Sequence, residues 1–319
     1  MKAIRVHEFG GAEVLKLEEV PTPSPGPGEL LVRLHAVGVN PVDTYIRSGA
    51  RGPRPLPYTP GADGAGTIEA IGSGVARFEV GQRVFTSSTL TGSYAEYTVC
   101  TPSQVHPLPD TITYAQGAAI NIPYATAYRA LFQHAKVRPG EFVFVHGGSG
   151  GVGIAAIQLA AAHGCKVIAS AGTARGLELI RSNGAIFTVD HTDPFYRETV
   201  LHFTGGAGPA VIIEMLANKN LTHDLKLIAL RGRIVIVGNR GTIEIDPREA
   251  MMREATIQGL SLFNAQEVER HEIYAAIHAR LTAGVIRPVV GQSFPLGQAA
   301  TAHEAVLAAG AYGKIVLVP

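Results

Sequence analysis

A glycine-rich segment carries the most specific chemistry in this sequence. Gly148, Gly150 and Gly153 have the spacing Gly-x-Gly-x-x-Gly, between the apolar run Phe142–His146 and the alanine-rich run Ile154–Ala160. Where such a segment joins a strand to a helix, the first glycine permits a tight turn. The second lets the backbone approach a pyrophosphate, and the third lets the helix pack on the strand. The helix N-terminus then offers unpaired N–H groups to the anion. The segment predicts a dinucleotide site.

The next predicted strand indicates which dinucleotide binds. In sites that prefer NAD, an acidic residue at the end of this strand hydrogen-bonds the ribose 2′-hydroxyl. Here Ala171 follows the strand Lys166–Ser170, and no carboxylate occurs until Glu178. The missing acid removes repulsion of a 2′-phosphate, and Arg175 is a cation able to pair with it. Alternatively, Arg175 is a solvated residue in the first turn of the next helix. The missing acid still predicts NADPH as the cofactor.

Length and composition bound the class of protein. The chain has 319 residues, 46% of them hydrophobic, and a formal net charge of +1. This length predicts two domains with substantial cores. The near-neutral charge gives no electrostatic reason to expect nucleic acid or an anionic membrane as partner. Met1–His7 is typical of a short strand and not of a signal peptide, and no apolar run has membrane-spanning length. We therefore expect a cytoplasmic enzyme.

The cysteine and histidine content argues against a metal centre. The chain has two cysteines, Cys100 and Cys165, and twelve histidines. The cysteines form no Cys-x-x-Cys pattern, so the chain cannot build a thiolate zinc site. The histidines are scattered, and none has His-x₃-His spacing. The sequence therefore predicts neither a metal nor a disulfide.

The pattern of elements changes twice along the chain. Residues 1–120 contain short β-type runs separated by proline and glycine, which predict an antiparallel, barrel-like domain. Strands then alternate with helices, and the tail 290–319 returns to β character. The fold class is therefore α/β, with a doubly wound, six-stranded parallel sheet in residues 121–263 and a β-rich domain from residues 1–120 and 264–319. The six predicted strands of the sheet are 142–146, 166–170, 186–189, 211–215, 233–237 and 257–262.

Several segments resemble one known family. They are Phe9–Leu17, Gly38–Gly49, Pro57–Gly61, Val84–Ser88, Ile122–Leu131, Ile213–Asn218 and Val237–Ile245. Together with the order of elements, they resemble the zeta-crystallin type of NADPH:quinone oxidoreductase, in the medium-chain dehydrogenase/reductase superfamily. The resemblance implies a Rossmann domain, a GroES-like catalytic domain, and a homodimer or homotetramer. Zinc alcohol dehydrogenases of this superfamily carry Gly-His-Glu where this chain has Gly61, Ala62 and Asp63, which agrees with a zinc-free enzyme.

The resemblance also implies positions that contact the cofactor. Tyr45 would lie beside the nicotinamide, with Thr126 on the same side of the cofactor. The other implied or inferred positions are Gly148, Ser149, Gly150, Gly151, Val152, Gly153, Gly172, Thr173, Arg175, His191, Asn218 or Asn220, Val237, Gly238, Asn239, Arg240, Leu260, Ser261 and Leu262.

The reaction that follows is the reduction of a quinone. It requires a nicotinamide facing a flat acceptor in a slot that excludes water, and it needs no nucleophile. Asn40 and Tyr45 lie in one loop and can hydrogen-bond a carbonyl oxygen as charge builds there, and Tyr58 can form an aromatic wall. Alternatively, the two tyrosines cover loops with exposed hydroxyls, and Asn40 begins a turn. The resemblance implies a preference for ortho-quinones and one-electron transfer to semiquinones. The residues themselves do not decide between one and two electrons.

Two other kinds of function stay open. An NADPH-dependent alkenal or enone reductase would use the same fold and hydride donor on an activated double bond. Relatives also serve as lens crystallins and as binders of AU-rich RNA, so the resemblance leaves such a role open. The chain has only short basic clusters, at Arg51–Arg54 and Arg231–Arg233, and no basic stripe with interleaved aromatic residues.

Overall fold

The structure is a computed structural model that describes all residues, Met1–Pro319. Helical turns at Asn121–Ala125 and Arg129–His134 are π-helical and flank the short α-helix Thr126–Tyr128. In chain order the elements are β1 (Lys2–Arg5), β2 (Lys16–Glu19), β3 (Leu30–Val39), α1 (Pro41–Arg47), β4 (Asp63–Ile71), β5 (Arg83–Ser87), β6 (Tyr97–Cys100), β7 (Val105–Pro107), α2 (Tyr114–Gly117), α3 (Thr126–Tyr128), β8 (Phe142–Val145), α4 (Gly151–Ala162), β9 (Lys166–Ala171), α5 (Ala174–Ser182), β10 (Phe187–Asp190), α6 (Tyr196–Phe203), β11 (Val211–Glu214), α7 (Ala217–Leu227), β12 (Arg233–Ile236), α8 (Pro247–Arg253), β13 (Thr256–Gly259), α9 (Glu267–Thr282), β14 (Val290–Pro295), α10 (Ala299–Ala305) and β15 (Lys314–Val318).

The chain divides into two compact units. The first comprises Met1–Ile122, His278–Ala309 and Gly313–Pro319, and the second comprises Pro123–Ile277 and Gly310–Tyr312. The sequence predicts the later boundary at residue 263, whereas the second compact unit extends to Ile277. Residues 267–277 of α9 belong to the second unit, where Glu272 accepts a hydrogen bond from the Tyr128 hydroxyl at 3.1 Å.

A six-stranded parallel sheet organises the second unit. The strand order is β10-β9-β8-β11-β12-β13, and every neighbouring pair is parallel. The order reverses between β8 and β11, and in open sheets of this kind ligands bind beyond the carboxyl ends of the strands at such a reversal. The predicted doubly wound sheet is therefore confirmed. Its last strand was predicted too long, because β13 ends at Gly259 and Leu262–Asn264 forms a 3₁₀ turn.

Burial explains the elements on either side of the glycine-rich turn. Val143, Phe144 and Val145 of β8 are fully buried, as expected for a central strand of a parallel sheet. Helix α4 is apolar on nearly all sides and buries its isoleucines and most of its alanines, so its position against the sheet is set by packing. None of the helices in the structure combines the length and apolar character that a membrane span requires.

Strand β3 is the centre of the first unit. It pairs antiparallel with β4, β6 and β15 in a seven-stranded sheet, while β1 and β2 form a separate pair. Leu30, Val32 and Leu34 alternate along β3 into one hydrophobic core, which includes Ile68 of β4. β3 leads directly into α1 through Asn40, so the sheet determines where this short helix begins.

Candidate functional site

The predicted cofactor residues of the second unit collect at one edge of its sheet. Gly148–Gly153 follow β8, Gly172–Arg175 follow β9, and His191 follows β10. Asn218 and Asn220 follow β11, Val237–Arg240 follow β12, and Leu260–Leu262 follow β13. In a parallel sheet the carboxyl ends of all strands meet at one edge. Thr126 is different, since it is buried on α3, which packs on α4.

The glycines of the turn have clear but partly unexpected roles. The positive φ of 55° belongs to Gly147, so Gly147 and not Gly148 makes the tight turn. A Cβ on Gly148 would lie 3.0 Å from Ala169 Cβ and 3.1 Å from side-chain atoms of α4 and α5, so Gly148 is required for close packing. A Cβ on Gly153 would lie 2.4 Å from the Gly147 oxygen, as expected for a helix packed tightly on its strand.

Gly150 leaves its backbone accessible. It is the N-cap of α4, and a Cβ built on it would have no neighbour closer than 3.6 Å. No side chain caps this helix, so the first N–H groups of α4 have no side-chain acceptor. Unsatisfied N–H groups with the positive end of a helix dipole form an anion site.

The residues at the end of β9 have small side chains and include no acidic residue. Ala171 ends the strand, and a Cβ on Gly172 would lie 2.6 Å from His191 Nε2, so His191 packs directly on this turn. Thr173 caps α5 by accepting a hydrogen bond from Gly176 N at 3.0 Å. Arg175 is exposed in the first turn of α5, and its guanidinium lies 3.7 Å from the ring centroid of Tyr312.

A group of buried charged residues lies beside this edge. His146, Glu214 and Asp224, the His146 cluster, are each at most 3% exposed. His146 Nε2 lies 2.8 Å from Asp224 Oδ1 and 3.3 Å from Glu214 Oε2. His146 and Glu214 come directly at or after the ends of apolar strands, a sequence signal that would have identified them.

The other oxygen of Glu214 holds the turn after β11. Glu214 Oε1 accepts hydrogen bonds from Leu216 N and, at 3.1 Å, from Asn220 Nδ2. Its backbone oxygen accepts from Val237 N at 2.8 Å, so one residue connects two segments of the predicted cofactor groove. A cavity of about 360 Å³ opens here, and its lining includes His146, His191 and Asn220.

The His146 cluster has the composition of a metal site, which the spacing of the histidines in the sequence does not indicate. Its three ligand atoms lie within 4.8 Å of one another. Burial raises the pKa of Glu214 to about 7 and that of Asp224 to about 7, and it lowers the pKa of His146. Glu214 Oε2 and Asp224 Oδ2 have no hydrogen-bond partner among the other groups. The raised pKa values favour protonated forms of the two carboxyls, which lowers the charge buried in the cluster.

A second buried network holds the start of α1 in the first unit. Asn40, Asp63, Asn121 and Lys314 form what we call the Asp63 cluster, and each is at most 4% exposed. Asp63 accepts hydrogen bonds from Asn40 Nδ2 at 2.9 Å, Asn121 Nδ2 at 2.8 Å and Lys314 Nζ at 2.8 Å. Lys314 also donates to Asn40 Oδ1. Both ends of the Asn40 amide therefore bond within the protein, which favours a positioning role over the predicted contact with a substrate oxygen.

Tyr45 and Tyr58 differ from Asn40 in their surroundings. Tyr45 is half-buried on α1. Tyr58 packs on the core of the first unit, with the Arg54 guanidinium 4.5 Å from its ring centroid. The Tyr58 hydroxyl is buried and has no hydrogen-bond partner in the protein, and burial raises its pKa. An unpartnered buried hydroxyl is unfavourable unless a ligand or water satisfies it.

The fold and the glycine turn define the class of protein. Residues 26–110 match the family model for the alcohol dehydrogenase GroES-like domain, and residues 151–279 match the one described as zinc-binding dehydrogenase. The chain is thus a medium-chain dehydrogenase/reductase. It is 49% identical to the quinone oxidoreductase of Rattus norvegicus over 320 aligned residues, covering 99% of this chain and 97% of the rat protein. The chain belongs to the quinone oxidoreductase family.

Solved structures agree with this assignment. An NAD-dependent alcohol dehydrogenase superposes with a TM-score of 0.93 at 31% identity, covering 100% of both chains. The quinone oxidoreductase of Escherichia coli, solved with NADPH, superposes with a TM-score of 0.89 at 28% identity, again covering 100% of both chains.

The residues at the superfamily's zinc position do not fit the metal. Ala62 has no ligand atom, and the Asp63 carboxylate is already bound by the Lys314 ammonium and two side-chain amides. A cationic side chain thus occupies the charge-balancing role that a metal would have. No catalytic step through zinc is derived for this chain.

Proposed function

We propose that this protein transfers reducing equivalents from NADPH to quinones without zinc. The observation that carries the proposal is the turn Gly147–Gly153, with its accessible backbone at Gly150, in a member of the quinone oxidoreductase family. The bound nicotinamide supplies the hydride, and the protein binds and orients both partners.

The preference for NADPH rests on the end of β9. The strand ends in Ala171, and the residues that follow bring no carboxylate to the ribose 2′ position. The exposed Arg175 guanidinium and the capped N-terminus of α5 both favour negative charge there. The E. coli relative was solved with NADPH. The NAD-dependent neighbour shows that the same fold accepts either cofactor, so the local residues must decide.

The acceptor side is assigned to Tyr45 and Tyr58. The unpartnered Tyr58 hydroxyl is a donor suited to a quinone oxygen, and its ring offers a flat apolar wall. Asn40 anchors the start of α1, and Tyr45 lies one turn further along this helix. The Asp63 cluster therefore positions Tyr45 through the backbone. Ortho-quinone preference and one-electron transfer stay predictions, which the identity of the products tests.

A homo-oligomer is also proposed. β13 is the edge strand of its sheet, and all four of its residues are exposed. Met251, Met252 and Phe263, in the flanking segments, are 76%, 72% and 57% exposed. An exposed edge strand with apolar neighbours favours pairing with a second copy of the chain. Light scattering on the purified protein tests this, and a monomer at micromolar concentration would contradict it. The cytoplasmic location stays a prediction.

The decisive experiment compares NADPH with NADH and a naphthoquinone with an enone. We expect quinone reduction with NADPH to be favoured over NADH by at least about tenfold, roughly 1.4 kcal/mol. Ala171→Asp combined with Arg175→Ala should abolish this preference, and Arg181→Ala, on the same helix but paired with Glu178, is the control. Because Ala171 is buried, thermal unfolding serves as the folding control. Faster reduction of the enone than of the quinone would instead identify a double-bond reductase.

A further inference from the structure

The C-terminal segment Gly310–Tyr312 is part of the second unit, although the residues on both sides of it belong to the first. Gly310 and Gly313 have φ values of 78° and 62°, so two left-handed glycines shape this short loop. None of the predicted site residues lies in this loop.

Two close approaches at glycines and one side-chain contact connect the loop to the cofactor edge of the sheet. A Cβ built on Gly310 would lie 3.7 Å from Thr173 Cγ2, and one built on Gly150 would lie 3.7 Å from Ala311 Cβ. The third contact is the stack of Arg175 on Tyr312, with 3.7 Å between the guanidinium carbon and the ring centroid. The loop therefore covers the turn after β9 and the N-terminus of α4 together.

The stack on Tyr312 restricts the orientation of the Arg175 guanidinium. An exposed arginine on a helix surface samples many rotamers, and ordering it for a ligand costs conformational entropy. A ring face against the guanidinium fixes its plane while leaving its N–H edges available to an anion. Arg175 and Thr173 lie two residues apart at the start of α5, beyond the strand end where the ribose of a dinucleotide binds.

We propose that Tyr312 is a positioning residue for Arg175 and thereby sets the selectivity for a cofactor that carries a 2′-phosphate. The inference rests on the proposed NADPH function and deepens it, because it assigns part of the selectivity to a residue far from the glycine turn in sequence. Tyr312 acts through the guanidinium and makes no contact with the phosphate itself.

The test uses binding as well as activity. Affinities for adenosine 2′,5′-bisphosphate and adenosine 5′-monophosphate are measured by calorimetry on wild type, Tyr312→Phe, Tyr312→Leu, Tyr312→Ala and Arg175→Ala. Tyr312→Phe keeps the aromatic face and should retain wild-type selectivity. Tyr312→Leu and Tyr312→Ala should lower the selectivity for the bisphosphate about five- to tenfold. The kinetic preference for NADPH over NADH should fall in parallel, mainly through KM.

A double mutant separates positioning from simple packing of the loop. In the Arg175→Ala background, Tyr312→Ala should change the selectivity by less than about twofold, because the residue acts through the missing guanidinium. Arg181→Ala, two turns along α5, should leave selectivity unchanged. The thermal unfolding temperature reports any loss of loop packing separately.

The outcomes are distinguishable. If wild type binds the bisphosphate well and Tyr312→Leu keeps full selectivity, the role of Tyr312 is refuted and the proposed function stands. If Tyr312→Ala lowers the selectivity equally with and without Arg175, the role of Tyr312 is also refuted. If wild type shows no preference for the 2′-phosphate, the NADPH assignment fails first, and the role of Tyr312 fails with it.

Discussion

The two compact units each contain a cluster of buried charged groups, and the clusters balance their charge in different ways. In the Asp63 cluster, the carboxylate is bound by the Lys314 ammonium and two amides, and no polar atom of its four residues is unpartnered. In the His146 cluster, two carboxyls face a histidine whose charged form burial disfavours, and two carboxyl oxygens have no partner. A buried carboxylate needs a cation or a proton. The first cluster contains a cation, and in the second burial raises the pKa of both carboxyls, which favours their protonated forms.

The difference has consequences for function. The Asp63 cluster holds the start of the helix that carries Tyr45. The His146 cluster lies between the glycine turn and the turn after β11, and it contains groups with a pKa of about 7. The start of α1 is thus held by an ion pair, whereas the cofactor edge lies beside two carboxyls whose pKa is raised by burial.

Replacing Lys314, the cation of the Asp63 cluster, should have the largest effect on stability. Lys314→Met leaves Asp63 buried without its counterion, and we expect a loss of about 3–5 kcal/mol in the free energy of unfolding, measured by urea denaturation. Lys16→Met, on the exposed face of β2, is the matched control. The double variant Lys314→Met/Asp63→Asn should recover part of the loss. If Lys314→Met lowers the free energy of unfolding by less than about 1 kcal/mol, Asp63 does not depend on a cation and the contrast between the two clusters fails.

Replacing an acid of the His146 cluster should change the pH dependence of stability. Burial raises the folded-state pKa of Asp224 from 3.8 to about 7, so the folded state holds a proton that the unfolded state releases above pH 4. The resulting contribution to stability is present below pH 4 and is lost as pH rises through 7. Asp224→Asn has no such proton, so its stability relative to wild type should increase by about 2 kcal/mol between pH 5 and pH 8.

The matched control for this pH series is Asp110→Asn, whose side chain is 94% exposed. The low pKa of His146 acts in the opposite direction to the raised pKa of Asp224. A difference between Asp224→Asn and wild type that stays constant from pH 5 to pH 8 would show that Asp224 is ionised in the folded protein.

Tyr45→Ala tests whether the Asp63 cluster positions a residue of the reaction. Tyr45 is half-buried, so its loss should leave the fold intact by circular dichroism. We expect kcat/KM for quinone reduction to fall about tenfold, which corresponds to roughly 1.4 kcal/mol. A change confined to KM indicates orientation of the acceptor, and a change in kcat indicates stabilisation of developing charge. Unchanged constants would place Tyr45 outside the site.

Chelation should have no effect. Because Lys314 occupies the place of a cation in the Asp63 cluster and burial raises the pKa of both carboxyls of the His146 cluster, quinone reduction should survive prolonged EDTA or phenanthroline. Activity that is lost and then restored by zinc alone would show that the His146 cluster holds a metal and would remove the contrast between the clusters.

Local sequence patterns were sufficient to predict the strands of the parallel sheet and the edge where they end. All six strands of the parallel sheet were predicted, because each is a short apolar run with turn residues at its ends. The cofactor edge followed from these strands, since parallel strands bring their carboxyl ends together. The two errors in this region, the end of β13 and the roles of Gly147 and Gly148, concern single residues whose conformation depends on their neighbours.

The sequence by itself thus determined the order of elements, the glycine turn and the absence of an acid after β9, because periodicity and residue type act within a few positions of the chain. Only the tertiary structure brought His146 to Glu214 and Asp224, Lys314 to Asp63, and Tyr312 to Arg175. These partners are separated by up to 251 residues, for Asp63 and Lys314. Charges and rings so far apart in sequence are brought together by the packing of each unit, so no local pattern encodes their pairing.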